Sequence, residues 1–433
     1  MKLFTKTFGC QMNFADSDEM GRHLKNRGFV STVEQTEADA ILVNTCTVRD
    51  LAEHKAGSYL GLLKEWKNEN PQRMIILTGC AAERAKADFK RRFPYVDLIV
   101  GAKDIEKFPE ELDSFLGQNA IDEEQLIPSP NPLPRGERGA ATAYVTIMRG
   151  CNYNCSYCIV PSVRGREVYI PVETILNEVR ERVAEGAQEI WLLGQTVNSY
   201  RPTVSPKPGY DFADLLRDIN AIPGVGRLRF ISPHPYYLTP KLIQAMAECD
   251  KVCEHLHLPV QSGSDTMLKK MKRNYTRASY LQGINLLRDA IPTIALSTDL
   301  IVGFPGETDD DFQATLSLVE EAGFDSAYCF KYSPRPGTAS AEWEDDVPEE
   351  VKEQRVNQLL ELVDSKGTHK VKSLIGTTQE VLIENDKGEG LFRGKTRTAW
   401  RVRIKNDSLK VGQLVPALIT GTHSRELHGE LRL

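Results

Sequence analysis

The chain of 433 residues opens with MKLFTKTFGCQMN, which has neither an apolar run long enough for a secretion signal nor the Arg- and Ser-rich amphipathic character of an organelle leader. No later segment approaches the length of a membrane span. The expectation is a cytoplasmic protein. Tandem repeats and low-complexity tracts are also missing, and 41% hydrophobic with 26% charged residues is ordinary globular composition rather than disordered or fibrous. A large excess of either charge is missing too, with 54 Lys and Arg against 60 Asp and Glu. A formal net charge of -6 does not mark a nucleic-acid binder, although net charge can conceal a local basic patch. Finally, the nine cysteines are odd in number and widely spread, which in a reducing compartment points to metal ligands or buried thiols rather than a disulfide framework.

The length calls for two to four domains. Strand-like Lys2–Phe8, Ala40–Val43 and Met74–Leu77 alternate with helical periodicity at Ser17–Asn26 and Asp50–Lys67, which predicts a parallel α/β sheet over residues 1–120. Ile121–Thr142, with Pro128, Pro130, Pro132 and Pro134, has linker composition. From 143 to 370 a second βα series follows, with strands at Ala143–Met148, Glu189–Leu193, Arg227–Ile231, His255–Leu258, Ile294–Val302 and Ser326–Lys331. Helical stretches such as Glu173–Ala184 and Ala278–Asp289 lie between them. Roughly six βα units predict a full or partial (β/α) barrel. After a helix at Glu349–Val371, short β-rich pieces at Gln379–Glu384, Arg401–Lys405 and Leu414–Thr420 predict a small antiparallel barrel over 371–433.

Two sets of three cysteines stand out. Cys10, Cys46 and Cys80 each follow one of the first three strands, so they can converge on the carboxyl edge of one sheet, where open α/β folds bind ligands. Cys151, Cys155 and Cys158 form CxxxCxxC in the loop after the first strand of the second series. A structural zinc site usually has CxxC pairs and a fourth ligand, which this loop lacks. Four cysteines complete a four-iron cubane; three leave one iron open for a further ligand, as a chemical site requires.

CxxxCxxC with an aromatic before its last cysteine, here Tyr157, resembles the radical S-adenosylmethionine enzymes. The resemblance implies that the open iron chelates the amino and carboxylate groups of S-adenosylmethionine, whose reductive cleavage gives a 5′-deoxyadenosyl radical. TFGCQMN (7–13), NTCTVR (44–49), TGC (78–80), LLGQTVN (192–198), HLPVQSGS (257–264) and DLIVGFPGET (299–308) narrow it to the methylthiotransferases, nearest to the branch that modifies N6-isopentenyladenosine in tRNA. The match spans nearly the whole chain. It implies that Cys10, Cys46 and Cys80 hold an auxiliary [4Fe-4S] cluster carrying the sulfur to be transferred. One S-adenosylmethionine then methylates that sulfur, and a second supplies the radical. It also places Gly194 and Gln195 near the S-adenosylmethionine amino group, and Gln261, Ser262, Asp299 and Gly303 along its ribose and adenine. The loop after Cys158 departs from the pattern, with Ser162 where many members carry an aromatic.

In FRGKTRTAWRVRIK (392–405), Arg393, Lys395, Arg397, Arg401, Arg403 and Lys405 occur without an intervening acid, and Phe392 and Trp400 are interleaved. Phosphate attraction and base stacking are what RNA recognition needs, and the segment resembles the small RNA-binding barrel that ends many such enzymes. The implied partners are a tRNA anticodon stem-loop, an external electron donor and a donor of replacement sulfur, with the enzyme a monomer. Rival readings are methylthiolation of threonylcarbamoyladenosine in tRNA or of a ribosomal-protein aspartate, a non-catalytic iron-sulfur RNA-binding protein, and a zinc-bound RNA-binding module. Cys249, Cys253, His255 and His257 resemble a zinc set, but read as two thiols on a helix and two histidines on a strand; Cys329 reads as core. Ser162 and Ser262 lack a triad pattern, and GFPGE (303–307) lacks the GK[ST] ending of a phosphate loop.

Overall fold

The computed structural model describes residues 1–47, 50–118 and 141–432. The expected linker therefore lies outside the described residues, apart from its last two positions. The chain forms two compact units. The described residues of Met1–Gly136, with Arg149–Asn152 and Ile159–Glu167, make the first; those of Glu137–Met148, Tyr153–Cys158 and Val168–Leu433 make the second.

The first unit is built on five parallel strands, β1 (Lys2–Thr7), β2 (Val30–Ser31), β3 (Ala40–Thr45), β4 (Met74–Gly79) and β5 (Leu98–Gly101). They lie in the order β2-β1-β3-β4-β5. AILVNT and MIILTG are buried along their whole length, as central strands covered on both faces must be. Alternation sorts their side chains: Ile41, Val43, Ile75 and Leu77 pack against Leu60, Leu63 and Phe89, while Ala40, Leu42, Met74 and Ile76 pack against Met20, Leu24 and Phe108. The first helix runs Gln11–Lys25 and so begins six positions before the expected start at Ser17. Its first turns carry buried Asn13, Asp16 and Ser17, which interrupt the apolar stripe that periodicity detects.

The second unit begins with β6 (Thr142–Thr146); the two-residue strands β7 (Met148–Arg149, its second residue belonging to the first unit) and β8 (Val168–Tyr169) precede β9 (Glu189–Leu193) and β10 (Arg227–Phe230). Then come β11 (His255–His257), β12 (Ala295–Val302) and β13 (Ser326–Lys331). Two parallel sheets, β6-β9-β10 and β11-β12-β13, follow one another, and among the described residues an isolated bridge between Leu228 and Val252 links β10 to the segment leading into β11. Among the described residues no ladder joins β6 to β13, so this is a partial barrel, its helices packed outside on one continuous core.

A helix at Glu349–Ser373 leads to a closed barrel of β14 (Thr378–Asp386), β15 (Leu391–Thr396), β16 (Arg401–Lys405), β17 (Leu414–His423) and β18 (Glu426–Leu431). The expectation of an antiparallel barrel needs one correction. β16 and β18 pair in parallel and close the ring, the other four pairings being antiparallel. Cys249 also sits elsewhere than expected: the helix ends at Glu248, so Cys249 caps it and Cys253 lies beyond, both buried.

Candidate functional site

Cys46 and Cys80 directly follow β3 and β4, and Cys10 follows β1 by three residues. These strands are neighbours, in a register that pairs Thr7 with Asn44 and Thr45 with Gly79. The order reverses between β1 and β3, which is the switch point where an open α/β sheet leaves a crevice at its carboxyl edge. Two buried asparagines tie the loops together there. Asn13 Nδ2 donates to Asn44 Oδ1 (2.7 Å) and Thr45 O (3.1 Å), Asn44 Nδ2 donates to Asn13 O (2.8 Å), and Cys10 Sγ lies 3.3 Å from Asn13 Oδ1. Gly79 has φ +100°, and a Cβ there would stand 2.2 Å from Thr45 O, so only glycine lets β4 deliver Cys80 to the start of the helix Cys80–Arg84.

Beneath these thiols lies a buried ionic cluster. Asp16 accepts from Arg149 Nη1 at 2.6 Å and from Arg164 Nη2 at 2.8 Å, with no exposure of its carboxylate. Burial pushes the Asp16 carboxyl up, but Arg164 and Arg149 outweigh it and hold the group below the usual range. Cys80 is pushed up to about 12 by burial, with Arg164 acting against the rise. Arg164 Nη1, buried, has no hydrogen-bond partner.

No three His, Cys, Asp or Glu side chains among the described residues are close enough together to hold one metal ion. A four-iron cluster asks for something different. Each thiolate binds a separate iron, so its ligands stand further apart than the about 4 Å between thiolates on a single zinc. Three thiols at neighbouring strand ends beside an unpartnered guanidinium N–H fit such an anionic group.

Cys151, Cys155 and Cys158 are all half-buried. In the first unit the Cys151 N–H donates to Gly165 O (3.0 Å). In the second, Cys158 N–H donates to Cys155 O (3.0 Å), and Arg273 Nη1 reaches Cys155 Sγ at 3.3 Å while its Nε donates to Tyr275 Oη (2.8 Å). Arg273 is a site residue the sequence did not announce, since KRN after a short helix resembles any solvated turn. Tyr157 packs edge-on against Phe304, with 6.5 Å between ring centroids.

The remaining expected residues sit at strand ends of the second unit. Gly194 and Gln195 follow β9, and the Gln195 Oε1 is buried without a partner, an acceptor suited to an ammonium group. Gln261, at φ +73°, bridges to β12 through its backbone, donating to Asp299 O (2.9 Å) and accepting from Ile301 N–H (2.8 Å). Ser262 is fully buried and accepts from Ser264 N–H (3.2 Å), so its hydroxyl is engaged in the loop itself. The Gly303 N–H donates to Glu307 Oε2 at 2.6 Å. Asp299 Oδ1 stands 3.4 Å from His257 Nε2, His257 Nδ1 is 2.9 Å from Ser297 Oγ, and Ser297 Oγ is 3.3 Å from His255 Nε2. That row shows what His255 and His257 do: they join a polar chain along β11 and β12.

The basic segment of the closed barrel is divided in its tasks. Arg397 donates to both Glu254 oxygens (2.7 and 2.8 Å) and to Asp250 O and Val252 O (2.9 and 2.8 Å), joining the closed barrel to the partial one. Lys395 pairs with Glu384 (3.2 Å) and lies over the Trp191 ring, while Arg393 and Arg403 share Glu426. Arg401 and Lys405 project into solvent. Trp400 is half-buried, with Arg425 over its ring, whereas Phe392 is in the barrel core and presents no face for stacking. Tyr236, beyond β10, is exposed and packs edge-on against Tyr237, which Arg201 overlies.

Fold and site together define a radical S-adenosylmethionine enzyme. Residues 145–319 match the Radical SAM superfamily, and residues 2–101 match the Uncharacterized protein family UPF0004. Among solved structures, a radical S-adenosylmethionine methyltransferase, TsrM, from Kitasatospora setae is similar in fold, with a TM-score of 0.58 at 12% identity over 78% of this chain and 77% of that one. Curated relatives carry the match much further. A tRNA-2-methylthio-N(6)-dimethylallyladenosine synthase of Clostridium botulinum is 44% identical over 99% of this chain and 96% of its own. One of Clostridium tetani is 43% identical with the same coverage. The chain belongs to the tRNA-2-methylthio-N(6)-dimethylallyladenosine synthase family.

Proposed function

We propose that this chain replaces the hydrogen on carbon 2 of N6-dimethylallyladenosine, at position 37 of tRNA, with a methylthio group. The observation that carries the reading is the pair of three-cysteine sets, one at the ends of neighbouring strands β1, β3 and β4 and one in the CxxxCxxC loop. The names of relatives 43–44% identical over 99% of the chain favour this nucleoside over threonylcarbamoyladenosine or a protein aspartate.

In this reading residues 1–120 hold an auxiliary [4Fe-4S] cluster through Cys10, Cys46 and Cys80. Residues 143–370 hold the radical-generating [4Fe-4S] cluster through Cys151, Cys155 and Cys158, and 371–433 serve as an RNA-binding barrel. Bound, the two clusters and two molecules of S-adenosylmethionine supply the electron, the 5′-deoxyadenosyl radical, the sulfur and the methyl group. The protein's own tasks are binding and orientation. Arg273 stabilises the Cys155 thiolate through its 3.3 Å contact. Gln195 Oε1 accepts from the amino group of S-adenosylmethionine, and the Tyr157, Gln261, Asp299 and Gly303 strand ends shape the rest of its pocket. Arg401 and Lys405 attract the phosphates of the anticodon stem-loop, joined by Arg393, Lys395, Arg403 and the Trp400 ring where RNA displaces their present partners. The enzyme acts as a monomer in the cytoplasm, with an external electron donor and an external source of replacement sulfur.

The test supplies reconstituted protein with dithionite, S-adenosylmethionine and tRNA bearing N6-dimethylallyladenosine. The expected products are 5′-deoxyadenosine and a nucleoside heavier by CH2S. Cys10→Ala should still yield 5′-deoxyadenosine but no heavier nucleoside. Mass gain on a ribosomal protein, with the tRNA unchanged, would overturn the assignment.

A further inference from the structure

Arg164 is a large cation held where no ordinary need explains its free end. It lies in the helix Val160–Arg164, its residue is 7% exposed, and its Nη2 is fixed on Asp16 Oδ2 at 2.8 Å. Asp16 is shared with Arg149, so two guanidinium groups face one carboxylate, with Glu19 at the exposed side of Arg149. The Arg164 Nη1 donor is left buried and unpartnered. A buried N–H without an acceptor costs about 1–3 kcal/mol, more for a charged group. A native protein retains such an atom where a missing acceptor belongs.

The neighbourhood identifies that acceptor. Val163, next to Arg164 on the same short helix, and Ile159, which caps that helix, pack with Cys80 and Ala102. The helix that begins at Cys80 packs against the one that ends at Arg164, and after Asp16 it is Cys80 and Cys10 that act most strongly on the Arg164 charge. Asp16 itself is on the helix that starts next to Cys10. The cation is therefore buttressed from one side by a fully buried carboxylate and open on the other toward two of the three strand-end thiols.

We infer that Arg164 is the electrostatic support of the auxiliary cluster, donating its free Nη1–H to sulfur at the Cys10 and Cys80 corner, with Asp16 tuning the charge it presents. This deepens the proposed function and rests on its assignment of Cys10, Cys46 and Cys80. A cation beside an iron-sulfur cluster favours the reduced, more anionic state, and hydrogen bonds to the sulfurs act in the same direction. Removing the cation should make the auxiliary cluster harder to reduce. Neutralising Asp16 should make it easier.

The experiment isolates that cluster by changing Cys151, Cys155 and Cys158 to Ala, reconstituting anaerobically, counting iron, and following reduction by electron paramagnetic resonance. About four irons per chain are expected in this parent. Arg164→Gln should shift the midpoint potential negative, Asp16→Asn should shift it positive, and Arg164→Lys should stay near the parent. A merely structural role moves neither potential, or moves both the same way. If Arg164→Gln keeps no iron while Arg164→Lys does, the requirement for charge is upheld. Loss from both, with the sheet still folded by circular dichroism, overturns it, as do equal potentials in all variants. A parent that binds no iron refutes the auxiliary cluster itself, a separate failure.

Discussion

Arg227 allows the attachment of the closed barrel to be tested quantitatively. It is fully buried at the start of β10, and its guanidinium donates to Glu380 Oε1 (3.0 Å), Lys395 O (2.8 Å) and Glu380 O (2.8 Å). Arg227→Met keeps most of the volume and removes all three bonds. The two carbonyls then lose their partner in a dry contact, at about 1–3 kcal/mol each. The Glu380 carboxylate is 44% exposed and rehydrates, so it adds little. Glu189 keeps Arg229 at 2.6 Å, so no carboxylate is stranded. The sum is about 2–6 kcal/mol, concentrated in the docking contact and equivalent to a rise of at least roughly thirtyfold in the undocked population. Hydrogen exchange in the regime where opening is a pre-equilibrium should show that loss of protection in β15 and β16, with the N-terminal sheet unaffected. Arg217→Met, which breaks a surface pair with Glu248 and a 4.0 Å contact with Asp214, a carboxylate that keeps Lys207 and Lys241, should change exchange negligibly. Unchanged protection across 391–405 in Arg227→Met would refute the reasoning, as would an even loss over the whole chain.

Two other substitutions follow from local geometry. Gly79→Ala places a methyl 2.2 Å from Thr45 O at φ +100°, so strand β4 must shift and the Cys80 site with it; iron content of the isolated auxiliary site should fall to a minor fraction, and full occupancy would contradict the argument. His234 is held neutral, burial and then Arg273 lowering its pKa to about 2, against about 6.5 in the unfolded chain. Its contribution to stability is thus fully present above about pH 6.5 and is lost as pH falls below it, by about 2 kcal/mol at pH 5. Urea midpoints at pH 7.5 and 5 should converge in His234→Gln, and an unaltered pH dependence would refute the assignment.

The parts of the fold that could be read from sequence were those whose environment is uniform. EIWLL (189–193) and RVRIK (401–405) are apolar or strictly alternating, and their strands fall where those patterns begin and end. Val30–Ser31 escaped because two residues at a sheet edge carry no period, and β18 because HGE interrupts it. The misplaced start of the first helix has a functional cause. Asn13 and Asp16 are buried to support the cysteine loops and the guanidinium cluster, so the amphipathic signal fails at the positions the site has claimed. Cysteine spacing revealed both thiol sets, but not Arg164 or Arg273, because an arginine in a loop looks solvated until its partners are known. The same blindness hid that Arg397 joins two barrels and that Phe392 fills a core.

The two thiol sets also differ in how far apart they lie along the chain, and this orders their assembly. Cys151, Cys155 and Cys158 fall within eight residues, so the entropy of closing that loop is small even in a nascent polypeptide. Cys10, Cys46 and Cys80 span 71 residues and meet only when β1, β3 and β4 are laid side by side. If both sets hold clusters as proposed, the loop gathers its ligands at little cost in chain entropy, whereas the strand-end set is complete only once the sheet has formed.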